Sequence, residues 1–368
     1  MTKTKETVLE ISLAALEHNY HFLKAKLNPK TKFLGVVKAF AYGSDACKIA
    51  KKLSGLGIDY LAVAYTKEGV ELRNAGITTP ILVLHPQASN FKTIIDNHLE
   101  PSLYSISILT EFQKVLKEKK IQEYPIHIKF NTGLNRLGFS DSVISVLLAK
   151  INACSSLKIK SVFSHLAASD DLEDEEFTNK QIKAFLSIKT KVDSEIDYQP
   201  MYHLLNTSGI LNYPEAQFNM VRSGIGLYGY SNSPAIDKKL KPVATLKTII
   251  SQKHTLQKGE SLGYNRAFIA TNETITATLP IGHADGIGRQ YGQGRSFVLV
   301  NGKKAPIIGN VCMDMIMIDV TKIDCNEGDE VLIFGLDSSA EEFANTANTI
   351  SYELLTSISS RVKREIKP

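Results

Sequence analysis

The feature that most constrains the fold is a series of eight short apolar segments over residues 10–230, with helix-like stretches between most of them. They span residues 33–38, 60–64, 81–84, 102–104, 126–130, 161–164, 202–205 and 220–221. The first helix-like stretch follows Ser12, a candidate N-cap, and has apolar residues at helical spacing at Leu13, Leu16, Tyr20, Leu23 and Leu27. This count of alternating strands and helices predicts a parallel (β/α)8 barrel of the α/β class.

A different pattern begins after residue 234. β-branched runs at residues 243–250, 274–279, 297–300, 316–320 and 331–334 are separated by Lys-Gly, Asn-Gly and Glu-Gly turn signals. We therefore predict a barrel over residues 10–235 and a mostly β domain over residues 236–368, against which residues 1–9 pack. At 368 residues and 43% apolar content, the chain is long enough for a core in each domain.

Charge and composition argue against several classes of function. The net charge of +5 is spread along the chain and the longest charge run, residues 170–176, is acidic, so no nucleic-acid partner is expected. Because the first residues lack the apolar segment of a signal peptide and no apolar run approaches membrane-spanning length, we expect a cytoplasmic protein with no membrane partner. The cysteines lack metal-ligand spacing, so we expect no metal and four free thiols, Cys47, Cys154, Cys312 and Cys325.

One lysine stands at the end of the first barrel strand. This residue, Lys38, precedes the turn at Gly43, and active sites of such barrels lie at the C-terminal ends of the strands. If Lys38 lines a closed pocket, burial disfavours the ammonium and yields the neutral amine that Schiff-base chemistry needs. Taken alone, the position favours a lysine whose stem packs on apolar surface and whose ammonium reaches water, so other motifs must support the catalytic interpretation.

Further polar residues follow the later strands. Lys129 lies in the fifth strand and Arg136 in the loop after it, and two cations so close require an anion. The ends of the next three strands add His165, His203, Thr207, Arg222, Gly224 and Gly226. A histidine, a hydroxyl, an arginine and glycine backbone at one barrel rim suit an anionic ligand such as a phosphate.

Six short motifs then identify a family. They are VVKAFAYG (residues 36–43), NTGLNRLG (131–138), VRSGIGLYG (221–229), SLGYN (261–265), GNVCMD (309–314) and YE (352–353). In this order and spacing they resemble alanine racemase, a pyridoxal-phosphate enzyme, over nearly the whole chain. The resemblance implies a barrel followed by a β domain, in a head-to-tail homodimer whose active sites are shared between subunits.

The resemblance also implies catalytic roles. Lys38 would hold pyridoxal 5'-phosphate as an aldimine and act as the base on D-alanine, and Tyr264 would be the base on L-alanine. Proton removal on one face of a planar carbon and delivery on the other gives a two-base racemisation through an external aldimine, which would supply D-alanine for cell-wall peptidoglycan. A free tyrosine ionises too weakly to be a base at neutral pH, so Arg136 and His165 would favour its phenolate.

Arg222 matches the family's partner of the pyridine nitrogen. Because a guanidinium can only donate, the nitrogen would stay unprotonated and the ring would be a weaker electron sink, which limits side reactions such as transamination. The remaining matches are phosphate contacts at Tyr42, Thr207, Gly224, Ile225 and Tyr352. Arg136 and the Met313 backbone match the substrate-carboxylate site, and Lys129 matches a position that many relatives carbamylate, which would supply an anion for Arg136.

Two departures concern selectivity. The family usually has asparagine where Phe40 stands, and it has a tyrosine at the active-site entrance where His283 stands. Neither departure replaces a base or the lysine, so racemisation remains the interpretation, while selectivity for alanine over serine stays open.

Three other functions compete with this interpretation. A pyridoxal-phosphate carrier on the same type of barrel would need no second domain, so the segments around Tyr264 and Met313 argue against it. Amino-acid decarboxylases with a related barrel use an acidic partner on the ring nitrogen, which Arg222 is not. A barrel enzyme acting on a sugar phosphate without a cofactor would show no visible absorption.

Overall fold

The computed structural model describes residues 6–231 and 233–368. After strand β1 (Val8–Ser12), eight parallel strands form a closed barrel in chain order, and the first pairs with the last. They are β2 (Lys32–Val36), β3 (Tyr60–Val63), β4 (Ile81–Val83), β5 (Glu100–Leu103), β6 (Tyr124–Lys129), β7 (Leu157–Phe163), β8 (Met201–His203) and β9 (Met220–Ser223). The predicted barrel is confirmed, with one strand at each predicted segment.

Helices cover the outside of the barrel. They are α1 (Leu13–Lys24), α2 (Lys38–Gly43), α3 (Ala46–Gly55), α4 (Thr66–Asn74), α5 (Phe91–Asp96), α6 (Ile106–Glu118), α7 (Ile144–Asn152), α8 (Glu175–Glu195) and α9 (Thr207–Asn212). Helix α1 begins as predicted, because the Ser12 hydroxyl accepts a hydrogen bond from the Ala15 amide at 3.1 Å. It ends at Lys24, one turn earlier than the periodicity predicts.

Segment α2 is left-handed. Its residues Ala39, Phe40, Ala41 and Tyr42 all have φ between 52° and 56°. L-residues disfavour this region by roughly 1–2 kcal/mol each, since the side chain crowds the following carbonyl oxygen. The surrounding structure must therefore hold the segment in place.

The second domain is mostly β, as predicted. Its strands are β10 (Ala244–Ile249), β11 (Gln252–Leu256), β12 (Ser261–Leu262), β13 (Phe268–Ile269), β14 (Thr274–Leu279), β15 (Phe297–Val300), β16 (Lys303–Ile308), β17 (Ile316–Asp319), β18 (Glu330–Phe334) and β19 (Lys363–Lys367). Its helices are α10 (Pro234–Asp237), α11 (Ala340–Asn345) and α12 (Ser351–Ser357). Single 3-10 turns occur at Ala88–Asn90, Asp141–Val143, Pro214–Ala216, Ile225–Tyr228, Tyr264–Arg266, His283–Asp285 and Arg289–Tyr291.

Strand β1 joins the sheet of the second domain although it precedes the barrel. The nine-stranded sheet has the order β11-β14-β17-β16-β15-β18-β10-β1-β19, in which β1 is antiparallel to β10 and parallel to β19. The barrel is thus inserted between two strands of one sheet. The domain boundary at residues 235–236 stays a prediction.

The strands of the parallel barrel are more completely buried than an exposed sheet would be. Strands β3, β4 and β9 are buried throughout, because helices cover the outside of a parallel barrel while side chains fill its interior. The four cysteines are free. Among the described residues, no helix combines the length and the apolar character needed to cross a membrane.

Candidate active site

The carboxyl ends of the barrel strands bring four cations to one mouth. Lys38 is the first residue after the strand-helix junction at Val37, Lys129 ends β6, Arg136 lies in the next loop and Arg222 lies in β9. No carboxylate of a described residue lies within ion-pair distance of any of the four. This part of the barrel therefore carries a positive charge that its own side chains do not neutralise by contact.

Lys38 combines partial burial with a cationic neighbour. Burial lowers the pKa of Lys38, and Arg136 lowers it further, whereas the carboxylate of Glu68 raises it. A lysine with a lowered pKa holds more of its neutral, nucleophilic form at neutral pH than a free lysine does.

Glu68 fixes the left-handed segment that presents Lys38. Its carboxylate accepts the Ala39 amide at 2.6 Å, and it also accepts the amides of Ala64 and Tyr65 at 2.7 and 3.0 Å. The last two bonds cap the start of α4, so one side chain joins β3, α4 and the lysine segment.

The other end of the segment is held by the second domain and by the 3-10 turn that follows β9. Arg364 donates to the Gly43 carbonyl at 3.0 Å, and the Tyr42 ring stacks on Tyr228 with centroids 4.5 Å apart. A Cβ on Gly43, whose φ is +77°, would overlap the Leu355 carbonyl oxygen at 2.0 Å. Glycine is therefore required where the segment meets α12.

Lys129 is buried, with 7% of its surface exposed. Burial lowers the pKa of Lys129 to about 8, assisted by the positive charges of the other three cations. Its ammonium lies 5.8 Å from the centroid of the Phe163 ring. A substantial fraction of Lys129 is therefore neutral near pH 8.

Arg222 is held by four hydrogen-bond acceptors within the barrel, of which the fourth is His165. Nη1 donates to His203 Nδ1 at 2.5 Å, and Nη2 donates to the carbonyls of Ser164 and Leu204 at 2.7 and 2.9 Å. Burial lowers the pKa of Arg222 to about 9, so the guanidinium remains protonated at neutral pH. No described residue accepts from Nε, which leaves this N–H for a ligand.

His165 is neutral and oriented. Its Nδ1 lies 3.2 Å from Arg222 Nη2, and burial followed by the charge of Arg222 holds the pKa of His165 well below its usual range. Because a guanidinium only donates, Nδ1 accepts and the ring proton sits on Nε2. His165 can therefore donate from Nε2 to a further group.

Glycines and hydroxyls line the rim after β8 and β9. A Cβ on Gly224 would lie 2.1 Å from the Tyr42 hydroxyl, and one on Gly226 would lie 2.5 Å from the Thr207 methyl. The Gly226 amide donates to Thr207 Oγ1 at 3.3 Å. The adjacent Ile225 begins a 3-10 turn, and the Tyr352 ring lies 6.0 Å from that of Tyr42. Backbone amides can approach a ligand here because side chains are absent.

The predicted residues of the second domain have a different environment. Tyr264 is 73% exposed and Met313 is 59% exposed. The His283 amide donates to the Cys312 carbonyl at 2.9 Å, so the loops that carry His283 and Met313 are joined. We call Lys38, Lys129, Arg136, His165 and Arg222 the barrel cluster, and Tyr264, His283 and Met313 the β-domain group.

Sequence reasoning did not give roles to several residues beneath the barrel cluster. The position of Glu68 carried a signal, since it stands three residues after Tyr65, the N-cap of α4, where a capping carboxylate is favoured. The position of His127 carried a signal as well, because His127 shares a strand face with Lys129, two residues later. His203 was recognised at a strand end but not as the partner of Arg222.

Comparisons with known proteins point to one family over nearly the whole chain. The family model described as "Alanine racemase, N-terminal domain" matches residues 11–232, and "Alanine racemase, C-terminal domain" matches residues 243–366. An alanine racemase from Methanococcus maripaludis is 36% identical over 365 residues, which cover 96% of this chain and 97% of the relative.

Solved structures of this kind also superpose closely. An alanine racemase from Clostridium difficile 630 has a TM-score of 0.92 and 33% identity, covering 100% of this chain and 97% of that chain. An alanine racemase from Bartonella henselae with covalently bound pyridoxal phosphate has a TM-score of 0.90 and 29% identity, covering 99% and 100% of the two chains.

Proposed function

The chain belongs to the alanine racemase family of isomerases, and on this premise we propose that it interconverts L- and D-alanine with pyridoxal 5'-phosphate, using two bases. The observation that carries the proposal is the barrel cluster. A lysine of lowered pKa lies among cations without carboxylate partners, beside a glycine rim. Such a site suits a ligand that brings an aldehyde and a phosphate, together with a substrate that brings a carboxylate.

The side chains present fit this cofactor. Gly224 and Gly226 bring the backbone close to the hydroxyls of Tyr42 and Thr207, and Ile225 and Tyr352 adjoin them, which suits a phosphate. The free Nε–H of Arg222 suits an unprotonated pyridine nitrogen. When bound, pyridoxal phosphate supplies a carbonyl for imine linkage and a ring that withdraws electrons from the substrate's Cα.

Lys38 would serve as one base. Its amine would hold the cofactor at rest, and during turnover the neutral amine would take up or return the Cα proton on one face of alanine. Burial and Arg136 support this role because both lower the pKa of Lys38. Glu68 would help to fix the position of the Lys38 amine, because its carboxylate accepts a hydrogen bond from the neighbouring Ala39 amide.

Tyr264 would serve as the base on the opposite face. Its ionised oxygen needs a donor, and the Nε2–H of neutral His165 is suited to provide one, since Nδ1 is occupied by Arg222. Arg136 would add a positive charge nearby and bind the substrate carboxylate together with the Met313 backbone.

Because Tyr264 and Met313 are exposed in one chain, we infer that each site pairs the barrel cluster of one subunit with the β-domain group of another, as in a head-to-tail homodimer. We also propose that Lys129 is carbamylated. Its pKa of about 8 provides the neutral amine that reacts with carbon dioxide, and the carbamate would give Arg136 an anionic partner.

In the cell, we propose that the enzyme works in the cytoplasm and supplies D-alanine for peptidoglycan. The division into a barrel over residues 10–235 and a β domain over residues 236–368 remains part of this proposal. The packing of residues 1–9 on the β domain also stays a prediction, and residues 1–5 lie outside the described residues. The family models, which end at residue 232 and resume at residue 243, support a boundary in this interval.

Chiral chromatography of alanine after incubation with the cofactor-loaded protein tests the activity. We expect L-alanine to become a racemic mixture, and borohydride reduction followed by peptide mass spectrometry to place the cofactor on Lys38. An Lys38→Ala variant is the control and should do neither. Release of carbon dioxide in place of D-alanine would favour a decarboxylase, and a label on another lysine would overturn the site.

A further inference from the structure

A row of polar side chains crosses the barrel interior beneath the mouth. It takes one residue from each of five neighbouring strands, β5 to β9, and these are Glu100, His127, Ser161, His203 and Arg222. Glu100 opens β5 at the amino end of the barrel, whereas Arg222 lies near the carboxyl end of β9. The row therefore connects the floor of the barrel to its mouth.

Adjacent members of the row are within hydrogen-bond distance. Arg222 Nη1 lies 2.5 Å from His203 Nδ1, and His203 Nε2 lies 2.8 Å from Ser161 Oγ. Ser161 Oγ lies 2.6 Å from His127 Nδ1, and His127 Nε2 lies 2.7 Å from Glu100 Oε2. The three middle side chains are fully buried, so water does not compete for these bonds.

Only one arrangement of protons gives each bond a donor and also leaves the Ser161 hydroxyl hydrogen with an acceptor. Arg222 has no acceptor, so His203 Nδ1 must accept and the ring proton lies on Nε2, which donates to Ser161. The Ser161 hydrogen then has one acceptor left, His127 Nδ1, so that ring carries its proton on Nε2 and donates to the Glu100 carboxylate. All donors point from the guanidinium toward the carboxylate.

We propose that Glu100, His127 and Ser161 are positioning residues that act, through His203, on the orientation and donor strength of Arg222 toward the ring nitrogen of the cofactor. The inference rests on the proposed function for its cofactor. Arg222 has no carboxylate in contact, so Glu100, at the far end of the neutral chain, is the only acidic member of the row. A chain of aligned hydrogen bonds in a low-dielectric interior polarises along its length, which couples the two charges.

Aromatic rings pack against the members of the row and restrict their movement. The His203 ring stacks on Phe163 with centroids 4.8 Å apart and planes 5° apart, and the guanidinium carbon of Arg222 lies 5.4 Å from the centroid of the same ring. His127 packs edge-on against Tyr60 with centroids 6.0 Å apart. Phe163 therefore packs against both His203 and Arg222 and restricts their movement.

The proton order can be tested without the cofactor. In the cofactor-free protein labelled with nitrogen-15 histidine, we expect His203 and His127 each to show a bare Nδ1 and a protonated Nε2, with signals assigned from His203→Gln and His127→Gln variants. A protonated Nδ1 on either ring would overturn the proposed direction of the row. This measurement does not depend on racemase activity, so failure of the proposed function alone would leave it intact.

Two variants separate the effect of an unbroken row of hydrogen bonds from the effect of the negative charge on Glu100. Ser161→Ala interrupts the hydrogen bonds but keeps Glu100 charged, whereas Glu100→Gln keeps an acceptor for His127 but removes the charge. The control is Ser102→Ala, since Ser102 is buried beside His127 in the neighbouring strand and its hydroxyl has no hydrogen-bond partner among the described residues. Thermal melting identifies any variant whose fold is lost.

We expect Ser161→Ala and Glu100→Gln, the two relay variants, each to lower kcat by roughly tenfold, with KM for alanine unchanged. Residues that support a directly bound group commonly have effects of this size. We also expect a shifted absorption maximum of the bound cofactor, and loss of the single His127 tautomer in Ser161→Ala. Ser102→Ala should match the wild type in all three measurements. A relay variant that melts like the wild type and keeps its kcat, absorption and ring signals would overturn the proposal.

Discussion

The barrel cluster and the β-domain group differ in how completely one chain builds them. In the barrel, Arg222 is 4% exposed and hydrogen-bonded to His203 and two carbonyls, and the charges that shift the pKa values of Lys38, Lys129 and His165 all belong to the barrel. In the β domain, Tyr264 is 73% exposed. The comparison indicates that one chain preorganises the barrel cluster, whereas on the proposed shared-site arrangement a second chain would cover it with its β-domain group.

The β-domain group is ordered even though it is exposed. Arg361 binds the Asp285 carboxylate at 3.0 Å and the Asp314 carboxylate at 2.7 Å, and these aspartates lie in the loops of His283 and Met313. The exposed β-domain group therefore has a defined local structure. A rigid patch of this kind can dock on a partner at little cost in conformational entropy.

Complementation between two inactive variants is the strongest test of this comparison. Loss of a catalytic base costs roughly 10²–10⁴-fold, so Lys38→Ala and Tyr264→Phe homodimers should each be nearly inactive. If sites are shared, mixed dimers gather both lesions in one site and leave the other intact. With half of the dimers mixed by random pairing, racemase activity should recover to roughly a quarter of the wild-type value.

Subunit exchange must be shown alongside, for example by native mass spectrometry of differently labelled chains. Exchange without any recovery of activity would place both bases in one chain. The contrast between the barrel cluster and the β-domain group would then have no functional meaning.

Glu68→Gln tests whether the barrel cluster is held from within. The amide cannot accept from Ala39 on one side and from both Ala64 and Tyr65 on the other, so at least one N–H loses its partner, at a cost of about 1–3 kcal/mol. The free energy of unfolding, measured in urea, should fall by that amount. The matched control is Glu71→Gln on the same helix, whose carboxylate is half-exposed and lies 4.0 Å from Lys67.

The control should change stability by less than about 0.5 kcal/mol, as is usual for surface ion pairs. Equal effects of the two substitutions would show that the left-handed segment does not depend on Glu68.

Carbamylation of Lys129 is a smaller effect within the barrel cluster. Because carbon dioxide reacts with the neutral amine and the pKa of Lys129 is about 8, a carbon-13 carbamate signal from labelled bicarbonate should grow as the pH is raised through that value. Lys129→Ala should lack the signal and raise KM for alanine by about tenfold, since Arg136 loses an orienting anion. A signal that persists in the variant would assign the carbamate elsewhere.

His283→Tyr probes the β-domain group and should have the smallest effect. The side chain lies in a loop fixed by its backbone, so the substitution should leave the loop in place and change only what the side chain offers to an entering amino acid. We expect a few-fold change in KM for alanine and serine with kcat nearly constant. Unchanged KM for both substrates would place the residue away from the entrance.

The sequence predicts the barrel better than the β sheet for a physical reason. Barrel strands are buried on both faces and read as apolar runs, so all eight are detectable. The edge strands β11 and β19 were missed because they read as polar segments, with residues such as Lys253 and Lys363 where an apolar residue would be expected. Exposed edges commonly carry such charges, which prevent pairing with other chains.

The site shows a similar limit. Motifs point to Lys38 and Arg222 directly, but no residue pattern predicts that Ala39 to Tyr42 turn left-handed, because none is a glycine. The distant contacts of Glu68 and Arg364 stabilise that conformation. Long-range hydrogen bonds of this kind depend on the closed barrel and the completed sheet, and a local pattern does not contain them.

The bond between Arg364 and the Gly43 carbonyl joins residues 321 positions apart. During synthesis the barrel strands leave the ribosome first, while β1 waits for β10 and β19 to pair with it. The strained segment that presents Lys38 thus gains one of its anchors only after residue 364 has been translated. A barrel that forms on the nascent chain would therefore present Lys38 on a segment that lacks this anchor until the end of the chain has been synthesised.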